Sequence, residues 1–366
     1  MTPESMVDQL VRKEVRALPL YAPNVGACPI DLSDNTNLWG APPSAVRTLR
    51  ETPVSSLTRY PSLYSEPLRA SLLQYLALEG VPGLSVVTGC GSDDVIDATM
   101  RAFGGAGERI AFSSPTFAMI PVFAQLNGLV PIGIPLTDRF DVDAQRLVDC
   151  GAKITYLCAP NNPTATAVSR SAVEYVVSHA RGIVLLDEAY AEFAPETFEN
   201  LVAGNERVIV ARTFSKAFGL AGLRVGFGVA HTRVAALLQR ARGPYKVSSV
   251  AERAVLAALG PEQDALPWVR SHAALAIANR DRLLEALRAL GFAPLPSVAN
   301  FILVPTVRAL ALAGSLREHG VLVRSFSDLP RTIPAFAESN GAALRIGVCP
   351  WAMMQILLDC LAEGAA

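Results

Sequence analysis

From about residue 84 onward, short apolar runs alternate with stretches of helical period. Val86-Val87-Thr88, Arg109–Phe112, Val130-Pro131-Ile132, Ile154–Cys158, Ile183–Leu186, Val208-Ile209-Val210 and Val225–Val229 read as strands. Helices are predicted after Asp94 as far as Phe103, over 117–127 and over Ala172–Ala180. Such alternation predicts right-handed crossovers and a largely parallel sheet, with ligands at the carboxyl ends of its strands. Ahead of it, residues 4–17, 43–50 and 68–79 carry amphipathic patterns, and 18–43 is irregular apart from a turn-rich loop, Asp34–Gly40. A long helical stretch spans about 266–290, and the pattern changes after Gly291. Phe301–Val304, Val321–Arg324 and Ala343–Ile346 are predicted strands, with one helix between the first two and another at the end. The expected fold is α/β. Residues 1–40 form an arm packing with the small domain, 41–265 a large domain with a mainly parallel seven-stranded sheet between helices, and 266–366 a smaller α+β domain.

Length agrees with this division, because 366 residues exceed the usual size of one domain. Charge is nearly balanced, at 32 basic against 33 acidic residues, which argues against a nucleic-acid partner. No apolar run approaches the ~20 residues of a membrane helix. The first sixteen residues have no apolar core of a signal peptide. The six cysteines lack Cys-x-x-Cys spacing and read as reduced thiols, so a cytoplasmic location is expected. Four scattered histidines form no ligand pattern, and no metal site is expected.

The chemistry gathers at predicted strand ends. Arg212-Thr213-Phe214-Ser215-Lys216 places one lysine among small, apolar and hydroxyl residues. Desolvation there disfavours the ammonium and frees the amine as a nucleophile. Thr213, Ser215 and Arg224 can supply hydroxyls and a guanidinium to a phosphate, and a Schiff-base lysine beside such a cup points to pyridoxal 5'-phosphate (PLP). The same stretch would also suit a strand-to-loop turn with a snorkelling lysine. Gly91-Ser92-Asp93, between strand and helix, suits an anion, although Ser92 or Asp93 would equally serve as a helix cap. Asp187, ending the most apolar strand, suits a pyridine nitrogen, because a nearby anion favours its protonated form. Tyr190 and Asn162 suit the phenolic oxygen, and Phe117 is a candidate ring for stacking, although a capping Asp187, a plain turn at Asn162 and core positions for Tyr190 and Phe117 fit the residues as well. Arg345 and Arg324, inside apolar strand patterns, require anionic partners: a substrate carboxylate or an internal salt bridge.

In this order the motifs Asn161-Asn162-Pro163-Thr164, Asp187-Glu188-Ala189-Tyr190, Ser215-Lys216 with Gly219 and Arg224, and Leu344-Arg345-Ile346 resemble the fold-type I PLP aminotransferases. Arg59-Tyr60-Pro61, Gly91-Ser92-Asp93, Pro115-Thr116-Phe117 and Ala299-Asn300-Phe301 make the chain similar, over about 18–350, to the histidinol-phosphate aminotransferase family. The resemblance implies that Lys216 carries PLP and shuttles the proton, that Asp187 pairs with the ring nitrogen, and that Asn162 and Tyr190 hold the phenolic oxygen. It gives Phe117 to the ring face and Gly91, Ser92, Asp93, Thr213, Ser215 and Arg224 to the phosphate. Tyr60 would reach the cofactor of a partner subunit, implying a homodimer with shared sites. Arg345 would clamp the substrate's carboxylate or phosphate, and Tyr21, Asn37 and Arg324 would line its pocket. The implied reaction converts histidinol phosphate and 2-oxoglutarate to imidazole acetol phosphate and glutamate.

Departures spare the PLP core, and several fall on the substrate side. The family's usual acid in the first loop is Thr36 here, and Cys90, Ala165 and Cys349 replace its usual residues. They leave open a threonine-phosphate decarboxylase-like enzyme or an aromatic or specialised-metabolite aminotransferase of the same fold. A non-enzymatic PLP-binding regulator is disfavoured by the lack of a basic patch or DNA-binding extension.

Overall fold

The computed structural model describes residues 6–18 and 28–363. Among the described residues twelve strands run in chain order: β1 Ile30–Asp31, β2 Leu84–Gly89, β3 Arg109–Ser114, β4 Val130–Pro135, β5 Ile154–Cys158, β6 Ile183–Asp187, β7 Val208–Thr213, β8 Gly226–His231, β9 Phe301–Pro305, β10 Val321–Leu322, β11 Arg324–Phe326 and β12 Ala343–Gly347. The main sheet has seven strands in the order β2-β8-β7-β6-β5-β3-β4. All are parallel except β8, which is antiparallel to both β2 and β7. Parallel neighbours need long crossovers, and the helices supply them. Between β7 and β8 the chain makes only a loop with a single 3-10 turn, Ala221–Leu223, so β8 returns in the opposite sense.

The central strands β5, β6 and β7 are buried at every position. Their mainly apolar sequences, with Thr155 inside β5 and polar residues only at the carboxyl ends of β6 and β7, reflect a sheet covered on both faces. One face packs into the largest core, with Leu157, Leu186, Val210 and Val229. The other carries Ile154, Tyr156, Leu185, Ile209 and Ala211 against the helices Ser92–Phe103, Met119–Leu126 and Thr232–Ala241. A third core joins Ile302, Val304, Leu344 and Ile346 of β9 and β12 to the helices Ala309–Glu318 and Trp351–Glu363. The arm enters that core through Ile30 and Leu32, and β1 pairs in parallel with β10.

Several predicted elements shift. The helix over 4–17 is two short pieces within the described residues, Met6–Leu10 and Lys13–Arg16, because Arg12 is extended between them and donates to the Leu126 carbonyl at 3.1 Å. The helix read at 68–79 is Glu66–Tyr75. Ser65 caps it by accepting from the Leu68 amide, and Ala77, at φ 54°, ends it. The single strand read at 321–324 is divided between two sheets, β10 pairing with the arm and β11 with β12. The helices Ala144–Asp149, Thr232–Ala241, Ser249–Ala258 and Pro334–Glu338 were not predicted. The long helix Leu266–Ala289 was, with proline in its first turn and Gly291 at φ 83° beyond its end.

Candidate active site

A cavity of about 240 Å³ opens at the carboxyl edge of β5, β6 and β7. It is lined by Lys216, Asp187, Tyr190, Asn162, Phe117, Ser92, Asp93, Thr213, Ser215, Arg224, Arg324 and Arg345, which sequence reasoning had named. Tyr21 lies outside the described residues.

The lysine stands just past β7, with its Nζ donating to the Asp34 carbonyl at 2.7 Å and 6.0 Å from the Tyr190 ring centroid. The residue keeps some exposure toward the cavity, yet its amine is surrounded by protein. Desolvation is the largest cause of a pKa lowered to about 8, and the nearby Arg345 and Arg224 guanidiniums act in the same direction. Near neutrality a useful fraction of the amine is uncharged.

Asp187 ends β6 and is buried. Its Oδ2 accepts from Tyr156 Oη at 2.6 Å and its Oδ1 from the Ala189 amide at 3.1 Å. Burial pushes its pKa up to about 6, while the Tyr156 hydrogen bond opposes the rise. Tyr190 is buried too, and its Oη accepts from Asn35 Nδ2 at 3.1 Å. Asn162 Oδ1 accepts from Arg345 Nη1 at 2.7 Å, which turns the amide's donor end away from the arginine.

At the other side, Ser215 Oγ accepts from Thr213 Oγ1 at 3.0 Å and from Arg224 Nη1 at 3.2 Å, leaving its own hydrogen to donate. Gly91 precedes the helix Ser92–Phe103 at φ 81°, and a Cβ there would stand 2.7 Å from Arg224 Nη2. A side chain would therefore fill the space between the guanidinium and the helix N-terminus, a place suited to an anion. Asp93 carries its carboxylate 3.6 Å from Arg224 Nη2. Toward an anion, its useful group is the backbone amide in the first helical turn.

Arg324 and Arg345 are directly opposite one another on the antiparallel β11 and β12. Like charges so placed repel, and an anion between or above them relieves the repulsion. The Arg345 guanidinium carbon also lies 5.5 Å from the Phe301 ring centroid.

Two predicted residues stand elsewhere. Asn37 does not line the cavity: its Nδ2 donates to the Ala217 carbonyl at 2.9 Å and its Oδ1 accepts from the Trp39 amide. It braces the backbone beside Lys216, and Asn35 occupies the place given to it. Tyr60 is 83% exposed and stacks on Tyr245 with centroids 4.8 Å apart, away from the cavity of its own chain.

Sequence reasoning missed Asn35 and Tyr156. Asn35 shared a loop with Asn37, and its distinguishing feature, a left-handed φ of 60°, has no sequence marker beyond asparagine itself. Tyr156 lay inside an apolar run and looked like core. The motif residues Glu188 and Arg212 prove structural: buried Arg212 pairs with Glu188 and Glu199, each at 2.8 Å. Among the described residues no cluster of His, Cys, Asp or Glu suits a metal ion, and no helix is long and apolar enough to cross a membrane.

The family described as aminotransferase class I and II matches residues 28–361. A histidinol-phosphate aminotransferase of Roseiflexus castenholzii is 36% identical, covering 92% of this chain and 97% of its own. An aromatic amino acid aminotransferase of Streptomyces coelicolor is 34% identical over 92% of this chain and 96% of its own. Among solved structures, the histidinol-phosphate aminotransferase of Sinorhizobium meliloti in complex with pyridoxal-5'-phosphate superposes with a TM-score of 0.82 at 23% identity, covering 97% of both chains.

Proposed function

This chain belongs to the class I and II aminotransferases and is a transaminase, and from that premise we propose that it is PLP-dependent and acts on histidinol phosphate with 2-oxoglutarate. The observation that carries the cofactor assignment is the meeting of Lys216, Asp187 and the Ser215–Arg224 donor set in one cavity. The cradle at Gly91, which a Cβ would fill, supports the fit of a phosphate there. The buried Asp187 suits a cationic ring nitrogen, because a positive partner offsets the desolvation of its carboxylate.

When bound, PLP supplies an aldehyde that takes up amines and a ring that accepts electron density from the substrate's Cα. The chain's own groups do the rest. Ser92, Thr213, Ser215, Arg224 and the amides after Gly91 bind the phosphate. Phe117 covers a ring face. Asn162 Nδ2 and Tyr190 Oη donate to the phenolic oxygen. Asp187 holds the proton at the ring nitrogen. Lys216 Nζ, with its depressed pKa, takes the proton from the substrate's Cα and returns it on the other side of the exchange.

For the substrate, the opposed Arg324 and Arg345 favour a ligand bearing a phosphate or a carboxylate, and relatives named histidinol-phosphate aminotransferase favour the former as amino donor. Tyr60, exposed and held by Tyr245, suits a contact with the cofactor phosphate of a second copy, which makes the working enzyme a homodimer. A second reading, aromatic transamination, is favoured by relatives bearing that name and by the acid-free Asn35-Thr36-Asn37 loop. The test is kcat/KM of purified enzyme for histidinol phosphate, histidinol, phenylalanine and tyrosine with 2-oxoglutarate. The proposal expects histidinol phosphate to lead and histidinol to be poor. Phenylalanine or tyrosine in the lead would transfer the assignment to the second reading, and release of carbon dioxide from a phosphorylated amino acid would overturn transamination of histidinol phosphate.

A further inference from the structure

Tyr156 is fully buried, at 0% exposure, in the middle of β5. Its neighbours on that face of the sheet, Ile154, Leu185 and Ile209, are apolar. A phenol in such a place requires a partner for its hydroxyl. Register supplies one: Cys158 is paired with Asp187 across β5 and β6, so Tyr156, two residues earlier, shares the face of Asp187. Its ring spans that interval, and its Oη donates to Asp187 Oδ2 at 2.6 Å. The Ala189 amide donates to Oδ1. The carboxylate is thus held from two sides, in one orientation.

We propose that Tyr156 is a positioning residue for the transamination proposed above: its hydrogen bond to Asp187 keeps the carboxylate ionised and aimed, so that the proton shared with the cofactor's ring nitrogen stays on the nitrogen. This rests on the PLP reading. The physical reason is a competition for one proton. Burial makes Asp187 a stronger base than a free aspartate, and each hydrogen bond donated to the carboxylate weakens that basicity. Asp187 is faced by Tyr156 and Cys158 from β5, by Tyr190 beyond its own strand, by Lys216, and by Asp93 from the phosphate turn. The carboxyl of Asp93 acts against ionisation of Asp187, Lys216 acts for it, and Tyr156 is the side chain that donates directly to it. Without the phenol, Asp187 takes the proton for itself, and the ring loses the charge that draws electrons from Cα.

The experiment compares wild type with Tyr156→Phe, both loaded with PLP carrying nitrogen-15 in the ring. In wild type the nitrogen-15 resonance is expected at its protonated position. In Tyr156→Phe it is expected to move toward the unprotonated position. The visible band from Lys216 should still form, kcat should fall roughly 10- to 100-fold, the effect of a hydrogen bond to a charged group, and KM should stay within about twofold. Reconstitution with the N-methylated cofactor, whose ring charge is permanent, should bring the two proteins to equal rates. An unprotonated nitrogen in wild type, an unmoved resonance in the variant, or a kcat deficit that persists with the N-methylated cofactor would each overturn the inference. If Tyr156→Phe does not fold, the wild-type resonance followed across pH decides: it must stay at the protonated position well above neutrality. Failure of wild type to form the Lys216 band would instead remove the PLP reading itself.

Discussion

Lys216 and Asp187 are shifted in opposite senses by the same burial, and each shift predicts a pH dependence. The amine of Lys216 has a pKa lowered to about 8. Capture of PLP by the apoenzyme, followed by visible absorption, should therefore accelerate about tenfold per pH unit below 8 and level off above it, where the amine is already neutral. Arg345 helps to lower that pKa, so Arg345→Gln should move the midpoint upward. For Asp187 the folded-state pKa of about 6 lies above its ordinary 3.8. Between those values the native apoenzyme binds more protons than the unfolded chain, so stability falls as pH rises through the window. The penalty, fully present above about pH 6, is on the order of 3 kcal/mol. Asp187→Asn removes the charge and should melt higher than wild-type apoenzyme at pH 7, while losing tight PLP binding. Scanning calorimetry of both apoproteins at pH 4 and pH 7 checks the sign.

Elements were legible where pattern and function coincide. β5, β6 and β7 are mainly apolar with polar residues at or just past their carboxyl ends, so Asn162, Asp187 and Lys216 could be placed at one edge from sequence. Boundaries that depend on partners could not. Val321–Arg324 reads as one strand because its residues are uniformly apolar up to Arg324, and only pairing partners split it into β10 and β11. The contact of Tyr156 with Asp187 depends on register between strands, which no local pattern encodes. The exchange of Asn37 for Asn35 follows from a left-handed backbone that both asparagines tolerate. At this scale β8 offers a test. A Cβ on Gly226 would stand 2.2 Å from the Ser92 amide nitrogen and 2.3 Å from the Gly91 carbonyl carbon. Gly226→Ala must displace the phosphate turn, and a strain of about 1–3 kcal/mol predicts PLP affinity lower by roughly 10- to 100-fold. Titration of the apoenzyme with PLP reads it; unchanged affinity would mean that the turn yields without consequence.

For the molecule as a whole, the cavity of one chain lacks Tyr60, which points outward. The proposed homodimer with shared sites would make complementation possible. Lys216→Ala and Tyr60→Ala are each expected to be impaired as pure proteins. Mixed under conditions that exchange subunits, they form hybrids in which one site combines an intact Lys216 with the partner's intact Tyr60. Random pairing then predicts recovery of up to about a quarter of the wild-type sites. Turnover after mixing, measured against both parents, gives the answer, and an exact average of the parents would show that sites are not shared. The α/β class and the sheet of seven strands were legible from length and alternation alone. The seating of the arm, through the pairing of β1 with β10, depends on a residue pair far apart in sequence and was expected only in outline.

The reversed direction of β8 also bears on where foreign sequence can be spliced into the chain. Because β8 runs back from the cavity edge, the loop between β7 and β8 leaves and re-enters at that edge and delivers Lys216 and Arg224 together. Gly107 and Gly222 are both exposed, and nothing lies within 4 Å of where a Cβ would stand on either. Local room therefore does not distinguish them as insertion points. Gly107 precedes β3, at the edge remote from the cavity, whereas Gly222 lies between the lysine and the arginine. A short epitope tag at Gly107 should leave cofactor binding and turnover intact, and the same tag at Gly222 should uncouple the two residues and weaken PLP binding. Fluorescence titration of the two tagged proteins would locate the permissive edge of the fold.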